Sequence, residues 1–155
     1  MSDCNVILND LKVLLEEKEK IMVFVRGIPG SGKSTFAKWV CENNYDLPQH
    51  CEADMYFFDK YGEYKWSVDD VKNAHKYCQL MTEEAMLLDR HVVVSNTFIK
   101  QWELKEYIEL CKKYDYNYVV IRMCSEYKSA HNVPKETIER MKNQMEDISN
   151  EWIVK

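Results

Sequence analysis

The stretch Ile21-Met22-Val23-Phe24-Val25-Arg26-Gly27-Ile28-Pro29-Gly30-Ser31-Gly32-Lys33-Ser34-Thr35 decides the fold. Residues 21–25 are all apolar and include three β-branched side chains, the composition of a buried strand. Residues 27–34 match G-x-x-x-x-G-K-[ST], in which the glycines let main-chain N–H groups converge on phosphate oxygens. A helix opening at Lys33 adds the positive end of its dipole. The pattern places Gly27, Pro29, Gly30, Ser31, Gly32, Lys33, Ser34 and Thr35 around a polyphosphate. Lys33 reaches the β- and γ-phosphates, and the Ser34 hydroxyl serves magnesium. ATP, or another nucleoside triphosphate, with Mg2+ is the expected ligand.

The rest of the chain alternates helical and strand patterns around this stretch. Val6, Ile7, Leu11, Leu14 and Leu15 have amphipathic spacing and predict a helix over residues 3–20 that docks on the sheet. After the loop, Phe36, Ala37, Val40 and Cys41 continue one helical face as far as Asn43-Asn44. A short strand is expected over residues 50–53, delivering Asp54 at its end. Tyr56, Phe57, Phe58, Tyr61, Tyr64 and Trp66, interrupted by Gly62, read as a loop. Ser67 with Asp69-Asp70 starts a helix through Ala74, Tyr77, Cys78, Met81, Ala85 and Leu88. Residues 91–94 form a β-branched strand ending at Ser95-Asn96-Thr97. A helix over 101–114, a strand over 118–123, an irregular polar segment 125–133 and a helix from Pro134 through Ile138, Met141 and Met145 follow. Such alternation predicts a three-layer α/β sandwich around a parallel sheet with right-handed crossovers.

With 155 residues, 46% of them hydrophobic, the chain has the size of a single domain. Its longest apolar run falls well short of the roughly 18 residues of a membrane span, and its first residues lack the pattern of an export signal. A soluble, cytoplasmic protein without a membrane partner is expected. The six cysteines, at 4, 41, 51, 78, 111 and 124, form no C-x-x-C pair and read as reduced core thiols. His75 and Cys78 lie one helical turn apart, but no second pair accompanies them and zinc is not expected. A net charge of −5 argues against a basic nucleic-acid coat while leaving room for a local groove.

Ligands of a parallel sheet gather at the carboxyl ends of its strands. Asp54, at such an end, can take a proton from an attacking hydroxyl or orient magnesium; the plainer reading is a turn cap. Ser95, Asn96 and Thr97 stand where many phosphate-loop proteins place a magnesium-holding acid, so they either contact metal shell or substrate as neutral groups or simply build the turn. Charge developing on a transferred phosphoryl group calls for a cation over the nucleotide. Lys128 and His131 occupy that region, with Arg122 and Arg140 flanking. Tyr56 and Phe57, nearest Asp54, either stack on a base or pack in the core.

Taken together, these residues resemble the polynucleotide kinase-like branch of the phosphate-loop kinases and AAA-type ATPases, which includes phage 5′-hydroxyl polynucleotide kinase. The likeness spans residues 21–148. It rests on the loop, on Ala53-Asp54-Met55-Tyr56-Phe57, on Ser95-Asn96-Thr97, on Trp102, Glu103 and Tyr107, and on His131-Asn132-Val133-Pro134 followed by Ile138-Glu139-Arg140-Met141. It implies a P-loop NTPase fold for a kinase domain of residues 21–155, against which the N-terminal segment, residues 1–20, is expected to pack as the amphipathic helix its spacing predicts. It implies transfer of the γ-phosphate of ATP to the 5′-hydroxyl of DNA or RNA, with Asp54 as base and Lys33, Ser34 and a lid cation, Lys128, completing the machinery. Tyr56, Phe57, Asn96, Thr97 and His131 would face substrate. The sequence departs from that pattern at Phe57, where phage enzymes carry an arginine, at Met55, and at Ser95 or Asn96 in place of a strand-end aspartate. A small-molecule or nucleoside kinase, and a nucleotide-dependent binding module with weak ATPase activity, share the same machinery.

Overall fold

The structure is a computed structural model that describes residues 2–18, 20–127 and 132–155. Its centre is β1 (Ile21–Arg26), buried at every position. β1 has a parallel partner on each side, β3 (Val92–Ser95) and β4 (Asn117–Met123), so both its faces and both its edges are covered. β2 (Gln49–Cys51) and β5 (Trp152–Val154) complete a five-stranded parallel sheet in the order β2-β3-β1-β4-β5. A strand enclosed in this way has no polar face, which explains the unbroken apolar run.

Alternate residues of β1 enter opposite cores. Ile21, Val23 and Val25 pack with Leu11 and Leu15 of α1 (Ser2–Glu17) and with Phe36, Ala37 and Val40 of α2 (Lys33–Glu42). Met22 and Phe24 pack with Ala74, Cys78 and Met86 of α3 (Val71–Leu87) and with Tyr107 and Cys111 of α4 (Lys105–Tyr114). The result is a single three-layer α/β domain. α5 (Lys135–Gln144) buries no residue. Among the described residues no helix is long and apolar enough to cross a membrane.

Several boundaries differ from the sequence reading. The strand expected over 50–53 is β2, which stops at Cys51, because the Ala53 N–H is taken by Asn96 Oδ1 at 2.9 Å. Ala53–Phe57 then coils as a 3-10 turn, so Asp54 sits in that turn and not on a strand. The helices expected from Ser67 and Gln101 each begin with a 3-10 turn, Val68–Asp70 and Gln101–Leu104. The last helix ends before Met145. β5 was not anticipated; it extends the sheet beside β4 through Ile121↔Trp152 and Met123↔Val154. Cys51, Cys78 and Cys111 are buried, and burial pushes the Cys51 and Cys111 thiols up to about 12, whereas Cys124 is exposed and not a core thiol. His75 is exposed while Cys78 is buried on the same helix, so the two do not face a common site.

The least expected core residue is Arg26, with no exposed surface. Its guanidinium donates to Phe98 O through Nε at 2.9 Å and Nη2 at 2.8 Å, and pairs through Nη1 with Glu151 Oε1 at 2.8 Å. Glu151 Oε2 also accepts the Ile148 N–H at 2.9 Å. One fork thus binds the segment after β3 and the turn before β5 to the residue that precedes the loop. Removing one partner of a buried pair leaves an uncompensated charge, and we expect Glu151→Ala to cost about 3–5 kcal/mol in urea denaturation. A loss within the range of ordinary surface substitutions, about 0.5 kcal/mol, would contradict this role.

Candidate active site

The carboxyl ends of β1, β2, β3 and β4 converge on the loop at residues 27–34. Gly30 and Gly32 have φ of 82° and 87°, the left-handed region where a side chain is strained, and Gly32 immediately precedes α2. Gly27 answers to a different constraint: a Cβ there would lie 2.4 Å from Ser31 Oγ and 2.9 Å from Met123 O. Its N–H donates to Thr97 O at 3.2 Å, tying the loop to the end of β3. Ser31 is fully buried. From the β4 side, the Tyr127 N–H donates to Gly30 O at 2.6 Å, and its ring lies 3.2 Å from where a Gly32 Cβ would stand.

Lys33 is partly buried at the start of α2, with Nζ 3.5 Å from Ile28 O. Burial pulls its ammonium below the ordinary value, while the charges of Asp54 and Glu52 oppose that shift. Ser34, one residue on, donates its hydroxyl to Glu52 Oε2 at 2.8 Å. The same carboxylate oxygen accepts Ser95 Oγ at 2.7 Å, and His50 Nε2 lies 2.7 Å from Ser95 Oγ and 3.4 Å from Glu52 Oε2. Burial alone would raise the Glu52 carboxyl, but hydrogen bonds from His50, Ser95 and Ser34 outweigh it and hold the group down at about 2.

Asp54 is half-buried in the first turn of the 3-10 segment, and its Oδ1 accepts the Tyr64 hydroxyl at 3.1 Å. Burial and the adjacent Asp54 charge push the Tyr64 phenol well above its usual value. Around this pair runs a connected set of rings: Tyr56 meets Phe57 at 5.6 Å and Tyr77 at 5.8 Å, and Phe57 meets Tyr64 at 6.0 Å and Trp66 at 6.5 Å between centroids. Phe57 itself belongs to the core and is 6% exposed, so it offers no face to a ligand. Tyr56 and Trp66 are 39% and 56% exposed.

The turn after β3 is a hub of backbone ties. Asn96 is buried, with Oδ1 on the Ala53 N–H and Nδ2 3.6 Å from Cys78 Sγ, so both ends of its amide are engaged within the fold. Thr97, partly exposed, holds the loop through its carbonyl. Arg122, anticipated as a flanking cation, instead pairs with Asp147 and with Glu151, at 3.5 Å from Glu151 Oε2. Arg140 is exposed on α5. Lys128 and His131 lie outside the described residues.

Glu52 and Tyr64 were missed as site residues. Reading the strand through residue 53 made Glu52 an ordinary strand residue, and Tyr64 was one ring among several in a loop. Among the described residues no three or more His, Cys, Asp or Glu side chains cluster as a metal cage. A magnesium nucleotide needs none, because the ion takes one or two protein oxygens and completes its shell with phosphates and water. The hydroxyl and carboxylate oxygens beside the glycine cradle are donors of that hard type.

This architecture is a P-loop kinase-like fold. The family profile described as an AAA domain, AAA_33, matches residues 22–148, and the chain belongs to that family. Human NEDD4-binding protein 2 is 31% identical over 131 residues, covering 78% of this chain and 7% of that protein. This chain therefore spans only a small part of the length of that relative. A chain of the Pnkp1/Rnl/Hen1 RNA repair complex superposes with a TM-score of 0.66 at 17% identity, covering 81% of this chain and 44% of that one. A gluconokinase from Sinorhizobium meliloti 1021 superposes with 0.60 at 15% identity over 88% of this chain and 83% of that one. At such identities the two structures share the fold.

Two measurements check this geometry. Gly27→Ala forces a Cβ against Ser31 Oγ and a backbone carbonyl, and we expect a stability loss of about 1–3 kcal/mol together with loss of nucleotide binding in calorimetry. Unchanged affinity would show that the loop does not form the cradle. Second, the folded value of Glu52, about 2, lies below its ordinary 4.5, so its contribution to stability is complete above pH 4.5 and is lost as pH falls toward 2. The stability difference between wild type and Glu52→Gln should narrow across that window, and a difference independent of pH would contradict the assignment.

Proposed function

We propose that the chain is a magnesium-dependent phosphotransferase that moves the γ-phosphate of ATP to the 5′-hydroxyl of a polynucleotide. The observation that carries this reading is the Asp54–Tyr64 pair set among exposed rings at the mouth of the phosphate loop. A carboxylate there receives the acceptor proton, and Tyr56 and Trp66 provide flat apolar faces on which the terminal bases stack.

In this scheme the loop N–H groups and Lys33 hold the β- and γ-phosphates. Tyr64 orients Asp54 by donating its hydroxyl to Oδ1. The bond between the acceptor oxygen and the γ-phosphorus forms as the bond to the ADP oxygen breaks, and the hydroxyl proton passes to Asp54. Magnesium, when bound, neutralises charge on the β- and γ-oxygens. Lys128 and His131 are placed by sequence to supply the lid cation, and Thr97 to touch substrate beside the loop. Asn96 acts by fixing the Asp54 turn.

A second reading, phosphorylation of a small hydroxyl compound, draws on the net charge of −5 and on the burial of Phe57, which leaves no cation at that position for a polynucleotide phosphate. An assay with γ-labelled ATP offering 5′-hydroxyl oligonucleotides beside nucleosides and sugars separates the two by product mass. Label on the oligonucleotide supports the first reading, and label confined to a small molecule replaces it with the second. ATP consumed without label on any acceptor would leave a nucleotide-dependent binding module. Asp54→Asn should lower transfer by about 10²–10⁴-fold while nucleotide affinity persists. Transfer at the wild-type rate in that variant would remove Asp54 as base.

A further inference from the structure

We propose that the two carboxylates beside the loop divide the work, with Glu52, at the end of β2, as the magnesium-side carboxylate and Asp54 left to the acceptor proton. Phosphate-loop proteins commonly place the magnesium-side acid at the end of the strand beside the loop strand, where this chain has Ser95 on β3. The carboxylate has moved one strand over. β2 and β3 run parallel with Cys51 opposite Val94, so Glu52 and Ser95 are the next residues of the two strands, and their side chains meet at 2.7 Å. An acid on either strand therefore reaches the same place.

The hydrogen bonding fixes which carboxylate serves the metal. Ser34 Oγ has one proton and two lone pairs, and the proton is committed to Glu52 Oε2 at 2.8 Å, which keeps the lone pairs for a cation. Ser95 gives its proton to the same oxygen, so two hydroxyls present the carboxylate in one orientation. Asp54 instead engages Tyr64, ten residues along on the aromatic side of the site. A hydroxyl, a carboxylate and phosphate oxygens are the donor set magnesium takes. The inference deepens the phosphotransfer reading and needs only its donor half, the bound metal nucleotide.

The test titrates the whole chain with manganese(II) in the presence of ADP, following the free-ion signal by electron paramagnetic resonance, with no acceptor added. Relative to wild type, Glu52→Gln should weaken manganese binding by about 10–100-fold with metal-free ADP affinity kept within about threefold, whereas Asp54→Asn should change manganese affinity by less than about threefold. The paired exchange Glu52→Ser with Ser95→Asp, which returns an acid to β3, should restore manganese affinity. Wild-type manganese affinity in Glu52→Gln, or a loss confined to Asp54→Asn, would overturn the proposal. If Glu52→Gln does not fold, the paired exchange decides: a folded protein with restored affinity supports the assignment, and one without it refutes it. Failure of oligonucleotide labelling with these metal effects intact would sink the acceptor alone.

Discussion

One carboxylate oxygen, Glu52 Oε2, joins three elements that are distant in sequence: the first turn of α2 through Ser34, the end of β3 through Ser95, and its own strand end at β2. The parallel sheet makes this meeting possible, because it delivers every strand end to the same edge. The loop glycines then bring the backbone close enough for Ser34 to reach. Without that shared acceptor, the half-buried Ser34 hydroxyl would lose its partner, at a cost of about 1–3 kcal/mol, and Ser95 would keep only His50.

Around this point the molecule holds its active groups by backbone ties. Asn96 fixes the Asp54 turn, Thr97 O fixes Gly27, and Arg26 locks the segment after β3 against the turn before β5. Each tie starts in the turn that ends β3 or in the residue that ends β1. The phosphate cradle and the acid turn therefore cannot shift independently. Rigid placement of this kind is what an in-line displacement demands, since little covalent chemistry falls to the protein and most of its contribution is position and charge.

Much of this was legible in the sequence, for local reasons. The apolar run of β1, the glycine spacing and the 3.6-residue patterns of α1 to α4 are short-range signals that survive without tertiary knowledge. What escaped depends on distant partners. β5 has three residues and exists only because β4 offers an edge. β2 stops early because Asn96, over forty residues away, captures the amide of Ala53. That shift of boundary concealed Glu52. Arg26 read as part of the loop motif, yet it is wholly buried by a pairing with Glu151 near the other end of the chain. Phe57, adjacent to the exposed Tyr56, was sorted into the core by packing that irregular aromatic spacing does not encode.

The division of work between Glu52 and Asp54 shows in where a divalent ion sits when nucleotide fills the loop. Crystals grown with manganese and ADP, measured at a wavelength where manganese scatters anomalously, would show it directly. The predicted result is a single anomalous peak beside Ser34 Oγ on the Glu52 side, with Asp54 facing away from it toward Tyr64. A peak held by Asp54 with Glu52 uninvolved, or a nucleotide bound away from residues 27–34, would contradict it.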